Sequence, residues 1–193
     1  DLAKITPDID SLSLAGNVNG KLDVLQKNGS YLPNSTIVID DFKVNDFLLG
    51  SFDATVTGNE SLTNYSIDAT IKNDITRSFA AKGNIFVSGR RSTVDVTLDF
   101  NAFNLVPLNP LLDGVLSDIR GEANGNVKVV GDLIKPDING NLIIKNGGLG
   151  IPYLNVDYDF NTNASVSLKD QSFIFNNIRL TDSKYNSEGL LNG

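Results

Sequence analysis

Cysteine, histidine, methionine and tryptophan are all missing from the 193 residues. Without a thiol or an imidazole there is no Ser–His or Cys–His nucleophile pair and no thiolate or imidazole metal site, which removes most hydrolase and zinc chemistry. No catalytic residue, metal or cofactor is therefore expected. Positive charge is also scarce: 16 Lys and Arg against 23 Asp and Glu leave a formal net charge of −7. Nucleic-acid binding rests on clustered Lys and Arg that displace counterions, so no nucleic-acid partner is expected. The tight basic pair Arg90-Arg91 reads as solvated hairpin decoration. Signal-peptide and membrane-span patterns are lacking too. The missing methionines include the initiator, so the chain reads as a piece of a longer protein.

What is present is a phrase used twice. Ala15 to Val24 reads AGNVNGKLDV and Arg120 to Gly131 reads RGEANGNVKVVG, with Gly16, Gly20, Leu22 and Val24 matched by Gly121, Gly125, Val127 and Val129. Downstream, Ile37, Ile39 and Val44 stand at the spacing of Leu142, Ile144 and Leu149. Such a spacing predicts an internal repeat of a multi-strand unit. The units are expected at residues 1–103 and 121–193 of one continuous elongated domain.

Apolar and polar residues alternate over long stretches, the period of strands with one greasy and one wet face. Val94-Asp95-Val96-Thr97-Leu98-Asp99-Phe100 is a clear case, and Phe52/Ala54/Val56, Tyr65/Ile67/Ala69/Ile71 and Leu154/Val156/Tyr158/Phe160 share the pattern. Turn chemistry separates the runs at Asn28-Gly29-Ser30, Gly58-Asn59-Glu60, Ser88-Gly89-Arg90, Gly131-Asp132 and Asn146-Gly147-Gly148, which predicts an antiparallel meander. One segment differs. In residues 104–120, Leu108, Leu111, Leu112, Val115, Leu116 and Ile119 fall at helical spacing, with Asn109 as cap, Pro110 at the first position and Gly121 as stop; a short amphipathic helix is predicted near 109–119.

A sheet with one apolar face needs cover, and one short helix cannot provide it. Either the sheet curls on itself around a filled core, or it forms a gutter open to an apolar ligand. Glycines at inward parity (Gly16, Gly20, Gly121, Gly125, Gly140) allow the bending that both solutions need. Paired carboxylates such as Asp157 and Asp159, or Asp40 and Asp41, read as solvent-face residues rather than as acid/base or Ca²⁺ sites, because no loop gathers further oxygen ligands around them.

The stretch from Phe103 to Phe160, FNLVPLNPLLDGVLSDIRGEANGNVKVVGDLIKPDINGNLIIKNGGLGIPYLNVDYDF, resembles TamB-type translocation and assembly module proteins, particularly those of Bacteroidetes. Its Leu-Asn-Pro-rich segment, the glycine-spaced strand, Pro136 leading into INGNLII and the IPYLNVDYDF strand carry the likeness; residues 1 to 102 fit less specifically. The resemblance implies an AsmA-like groove protein of the periplasm, anchored at the inner membrane and working with an outer-membrane barrel of the TamA type. Its fold would be all-β: an elongated, strongly curved antiparallel sheet, or β-taco, of two repeats with one short helix. Its role would be to conduct phospholipid toward the outer membrane and to support outer-membrane protein assembly, the acyl chains lying against Leu22, Val24, Ile37, Ile39, Val94, Val96, Leu98, Val127, Val129, Leu142, Ile144, Leu154, Val156, Tyr158 and Phe160. A charge at Val127 or Val156 is then expected to block transport without unfolding the chain. The alternative is a non-enzymatic scaffold that offers sheet edges to outer-membrane strands by β-augmentation.

Overall fold

The computed structural model describes residues 2, 12–27, 30–73, 76–89, 91–112, 114–169, 172–182 and 184–193; Asn28, Gly29 and Arg90 of the expected turns lie outside them. The alternation seen in the sequence becomes thirteen strands: β1 (Leu14–Lys27), β2 (Ser30–Val44), β3 (Phe47–Gly58), β4 (Asn64–Asn73), β5 (Thr76–Phe86), β6 (Thr93–Asn104), β7 (Ser117–Asp132), β8 (Pro136–Ile151), β9 (Val156–Phe160), β10 (Ala164–Lys169), β11 (Ser172–Phe175), β12 (Ile178–Asp182) and β13 (Ser187–Leu191). They form one open antiparallel sheet. From β1 to β9 it runs as a meander, continuing into β12 and β13, while β10 and β11 branch from β8. Tight turns keep successive strands adjacent: Asn45 and Asp46 join β2 to β3 with φ of 51° and 64°, the left-handed pair whose twist suits a two-residue hairpin.

The repeated phrase is a repeated hairpin. On β1 and β2, Val18 faces Ile39, Gly20 faces Ile37 and Leu22 faces Ser35. On β7 and β8, each partner is displaced by 105 residues: Ala123 faces Ile144, Gly125 faces Leu142 and Val127 faces Gly140. Backbone irregularities repeat as well, since Gly16 (φ 146°) and Asp41 (φ 51°) correspond to Gly121 (φ 110°) and Asn146 (φ 49°).

These irregularities belong to a line of bulges that crosses the sheet. Register shifts fall at Ala15/Asn17, around Phe42, at Ile71/Lys72, at Phe100/Phe103 and around Arg120. An extra residue bends its strand and increases the local twist. At β6 the extra residue is Ala102 (φ 49°), whose backbone N–H is satisfied by the Asn124 side-chain oxygen at 2.9 Å. Beyond the line the strands carry Phe42, Leu49, Val44, Phe47 and Phe103 into a packed cluster with Ile39, Ile71, Phe52 and Phe79. Phe79, Phe100 and Phe103 meet with ring centroids 5.3 to 6.0 Å apart, spacings at which aromatic edges and faces attract.

A second cluster closes the C-terminal end. β8 forks, its first half pairing with β10 and its last residues with β9. Ile178 and Leu180 of β12 then pack with Ala123, Ile144, Ala164 and Val166. The two branches meet where Phe175 and Gly193 exchange backbone hydrogen bonds of 2.7 and 3.0 Å.

The helix expected over 109–119 is shorter and of another type. A 3-10 turn covers Val106–Leu112, with Pro110 inside it rather than at its start, and the chain re-enters the sheet at Ser117. Gly114 takes φ 83°, outside the right-handed helical region, so the helical pattern cannot run on through residues 109–119. Asn109 does not cap; its side chain donates to the Ile119 carbonyl at 2.9 Å and accepts from the Ile119 N–H at 2.7 Å, pinning the start of β7. Gly121 is a bulge residue of β7 and not a helix stop.

Candidate functional site

Chaining the pair registers shows what the alternation builds. One row of facing residues runs Ile37, Ala54, Ala69, Ala81, Leu98, Val127 and Gly140 from β2 to β8. Beside it runs Ile39, Phe52, Ile71, Phe79, Phe100, Gly125 and Leu142, and on the other side Val56, Ile67, Gly83, Val96, Val129 and Ile138. All three are apolar at every one of these positions. The opposite face has rows such as Asp53, Thr70, Ala80, Asp99, Asn126 and Asn141, bridged by Lys72–Asp53 at 3.6 Å, Lys82–Asp68 at 3.2 Å and Lys128–Asp95 at 2.7 Å. The wet face is the outer one, where such exposed pairs stabilise by at most about 1 kcal/mol each.

The middle row is made largely of small side chains, flanked by branched and aromatic ones, so the apolar face is lower along its centre. Ala54, Ala69, Val94, Val96 and Val127 are buried, yet none belongs to the cluster beyond the bulges or to the one at the fork. The middle of the face is thus an apolar trough bounded on its bulge side by both packed clusters, which share Phe103. Glycine sets how closely its strands approach: at Gly125 (φ 135°) any side chain would run into the Asn141 carbonyl oxygen of β8.

The fifteen candidate residues divide by position. Val94, Val96 and Leu98 on β6 and Val127 and Val129 on β7 stand together in the trough. Ile39 belongs to the cluster beyond the bulges; Ile144 belongs to the fork cluster, with Leu142, Tyr158 and Phe160 packed against it. Leu22, Val24 and Ile37 are exposed on β1 and β2. Val156 opens β9 opposite Ile151. Leu154 is not a strand residue: it ends the 3-10 turn Pro152–Leu154, before left-handed Asn155 (φ 54°), and is 57% exposed. Val127, at 4% exposure, cannot take a charge without a folding cost, contrary to the expectation for that substitution. Phe79, Ala81 and Ile85 of β5 were missed, although Lys82 and Asn84 on the other parity mark their face.

Asp157 and Asp159 have a partner that the sequence did not reveal. The Arg120 guanidinium reaches from β7 across Gly148 of β8 to Asp157 Oδ1 at 2.8 Å and Asp159 Oδ1 at 2.5 Å on β9, and also donates to the Tyr158 carbonyl at 3.1 Å. Burial lowers the Arg120 pKa, but the hydrogen bonds and charges of Asp159 and Asp157 outweigh it and raise it overall. No group of three or more Asp or Glu able to hold a metal is found among the described residues. No helix among them is long and apolar enough to cross a membrane.

A protein-family model described as TamB, N-terminal domain, matches residues 1–144. The match takes in the first hairpin, the whole meander to β7 and the first half of β8, including the region where the resemblance was less specific. No curated protein and no solved structure matches the chain.

Proposed function

Because the chain belongs to the TamB family, we propose that it serves a TamB-type role in lipid transport and outer-membrane assembly, as a segment of a periplasmic bridge whose trough carries phospholipid acyl chains. The supporting observation is the pair of uninterrupted apolar rows, Ile37 to Gly140 across β2 to β8 and Val56 to Ile138 across β3 to β8, whose residues belong to neither packed cluster. Exposing a sixteen-carbon tail to water costs on the order of 12 kcal/mol at about 0.8 kcal/mol per methylene. A row of aliphatic contacts repeated at every strand, about 4.8 Å apart, removes that cost without a deep well anywhere along the path. Head groups stay at the mouth, in water, and the wet outer face keeps the segment soluble. The anchor at the inner membrane and the contact with a TamA-type barrel belong to the same reading of the whole protein.

The test is a photo-crosslinking residue placed in turn at positions 94 to 99 of β6, in the full-length protein in cells. Phospholipid adducts at Val94, Val96 and Leu98 but not at Asp95, Thr97 and Asp99 are expected. Adducts at neither set, or equally at both, would reject a lipid-filled face and favour the scaffold role.

A further inference from the structure

At β8 the sheet divides: residues 140–144 pair with β10 and residues 148–151 with β9. On the β7 side, the register shifts around Arg120 fall opposite Lys145 to Gly150. β10 therefore continues the part of β8 that belongs to the trough, and β9 the part at and beyond the bulges. The middle row runs on from Val127 and Gly140 to Leu168 of β10 and Phe173 of β11. The row beside it runs from Gly125 and Leu142 to Val166 and Phe175. We propose that an acyl chain passing β7 follows the middle row onto β10 and β11, with Leu168 and Phe173 as its next contacts, and that β9 takes no part in its passage. The inference rests on the trough reading above and names the route of the lipid through the fork.

Packing separates the two branches. Val166 is buried in one cluster with Ile178 and Leu180 of β12, and Tyr158 and Phe160 of β9 pack against that same cluster. Their apolar surface is already taken up by protein, so a lipid tail could lie there only by displacing a core. The cluster is held shut by the paired backbone hydrogen bonds of Phe175 and Gly193, and the Asn176 N–H donates to the Ser165 carbonyl at 3.2 Å. Leu168 and Phe173 belong to neither cluster, and Phe173 is 62% exposed. The middle row thus crosses the fork uncovered. Gly140 shapes the crossing: a side chain there would run into the Asn126 carbonyl oxygen of β7, so the floor between Val127 and Leu168 carries no side chain at all. On the other parity, the Ser167 hydroxyl donates to the Asn141 side chain at 2.8 Å and carries the wet face onto β10.

The route is tested with a photo-crosslinking residue at Leu168 or Phe173, and in separate chains at Ser167, Ile174, Tyr158 or Phe160, compared with Leu98 in the full-length protein in cells. Phospholipid adducts are expected at Leu98, Leu168 and Phe173 and at none of the other four. Ile174 pairs with Ser167 and is apolar and 37% exposed, so it separates a directed path from indiscriminate lipid contact. Adducts at Leu98 alone, at Tyr158 or Phe160 in place of Leu168 and Phe173, or equally at Phe173 and Ile174 would each overturn the route and leave the trough standing. No adduct at Leu98 would reject the trough, and the route with it. Replacements at Tyr158 and Phe160 disturb a packed cluster, so a second measurement keeps both residues. Phe173→Asp should cut the Leu168 adduct at least about five-fold by setting an unpaired charge against the tail, and Ile174→Asp should leave it unchanged. Equal effects of the two substitutions would also overturn the route.

Discussion

Leu22 and Val127 occupy the same place in two hairpins of the same register, yet one is 66% exposed and the other 4%. Both stand two residues after a matched glycine in the same register. What differs is the neighbourhood: Val127 has Leu98 on one flank and Gly140 on the other, with Ala123 and Ile144 packed along the strand toward the fork, while among the described residues Leu22 has only Ser35 as a strand partner. Solvent exclusion in this sheet is therefore a property of rows and of what completes them. A residue and its pattern can be duplicated, but its burial depends on which strand lies next to it.

Charge gives the widest separation between the hairpins. Val127→Asp should destabilise the chain by about 3–5 kcal/mol, the cost of an unpaired carboxylate in an apolar interior, whereas Leu22→Asp should stay within about 0.5 kcal/mol as an ordinary surface change. Urea midpoints of the two variants at neutral pH provide the measurement, and similar shifts would mean that β1 is as covered as β7. Backbone tolerance comes next. Gly125→Ala meets the β8 carbonyl at positive φ and should cost about 2–3 kcal/mol. At the equivalent Gly20 the added methyl would make an ordinary 3.5 Å contact with the Thr36 carbonyl oxygen, so Gly20→Ala should be neutral or stabilise by up to about 1 kcal/mol through the unfolded chain.

The clamp sharpens the comparison further, because the residue equivalent to Arg120 in the first hairpin is Ala15. Arg120→Met should lose about 1–2 kcal/mol, the value of partly buried charge-assisted bonds, and should speed amide exchange in β9 while leaving β1 and β2 unchanged. The smallest effect lies at the β6–β7 rim. Arg91 Nε donates to Asp132 at 2.6 Å and, with the Ile134 backbone N–H, holds that carboxyl below its ordinary pKa. A depressed folded pKa contributes stability above the unfolded value and loses it as pH falls through the folded one. Arg91→Met should therefore move the Asp132 titration upward, seen by carboxyl NMR, with a stability difference from the parent chain that vanishes in strong acid.

Legibility in the sequence followed the range of each interaction. Strand parity on β6 is a local signal, because Asp95, Thr97 and Asp99 interrupt Val94, Val96 and Leu98, and the rows follow once neighbours are stacked. On β5 the same parity is weaker, since Ala80 and Ala81 look alike in sequence and Gly83 has no side chain, leaving only Lys82 and Asn84 to declare the outer face. The fork was illegible for a different reason: the packing of β12 over β7, β8 and β10 joins residues far apart in the chain, and no spacing encodes it. Leu154 misled because alternation passes unbroken through IPYLNVDYDF, while the left-handed Asn155 turns the backbone out of the strand. The helical spacing of residues 108–119 misled in the opposite way: the left-handed Gly114 interrupts the helical backbone while the apolar pattern runs on.

The line of bulges separates two dimensions of the molecule. The bulges recur at a comparable height on most of the long strands, so the cross-section of the sheet is specified strand by strand, whereas its length is specified by how many hairpins follow one another. A hairpin gained or lost would lengthen or shorten the apolar face while leaving its strand-defined height unchanged.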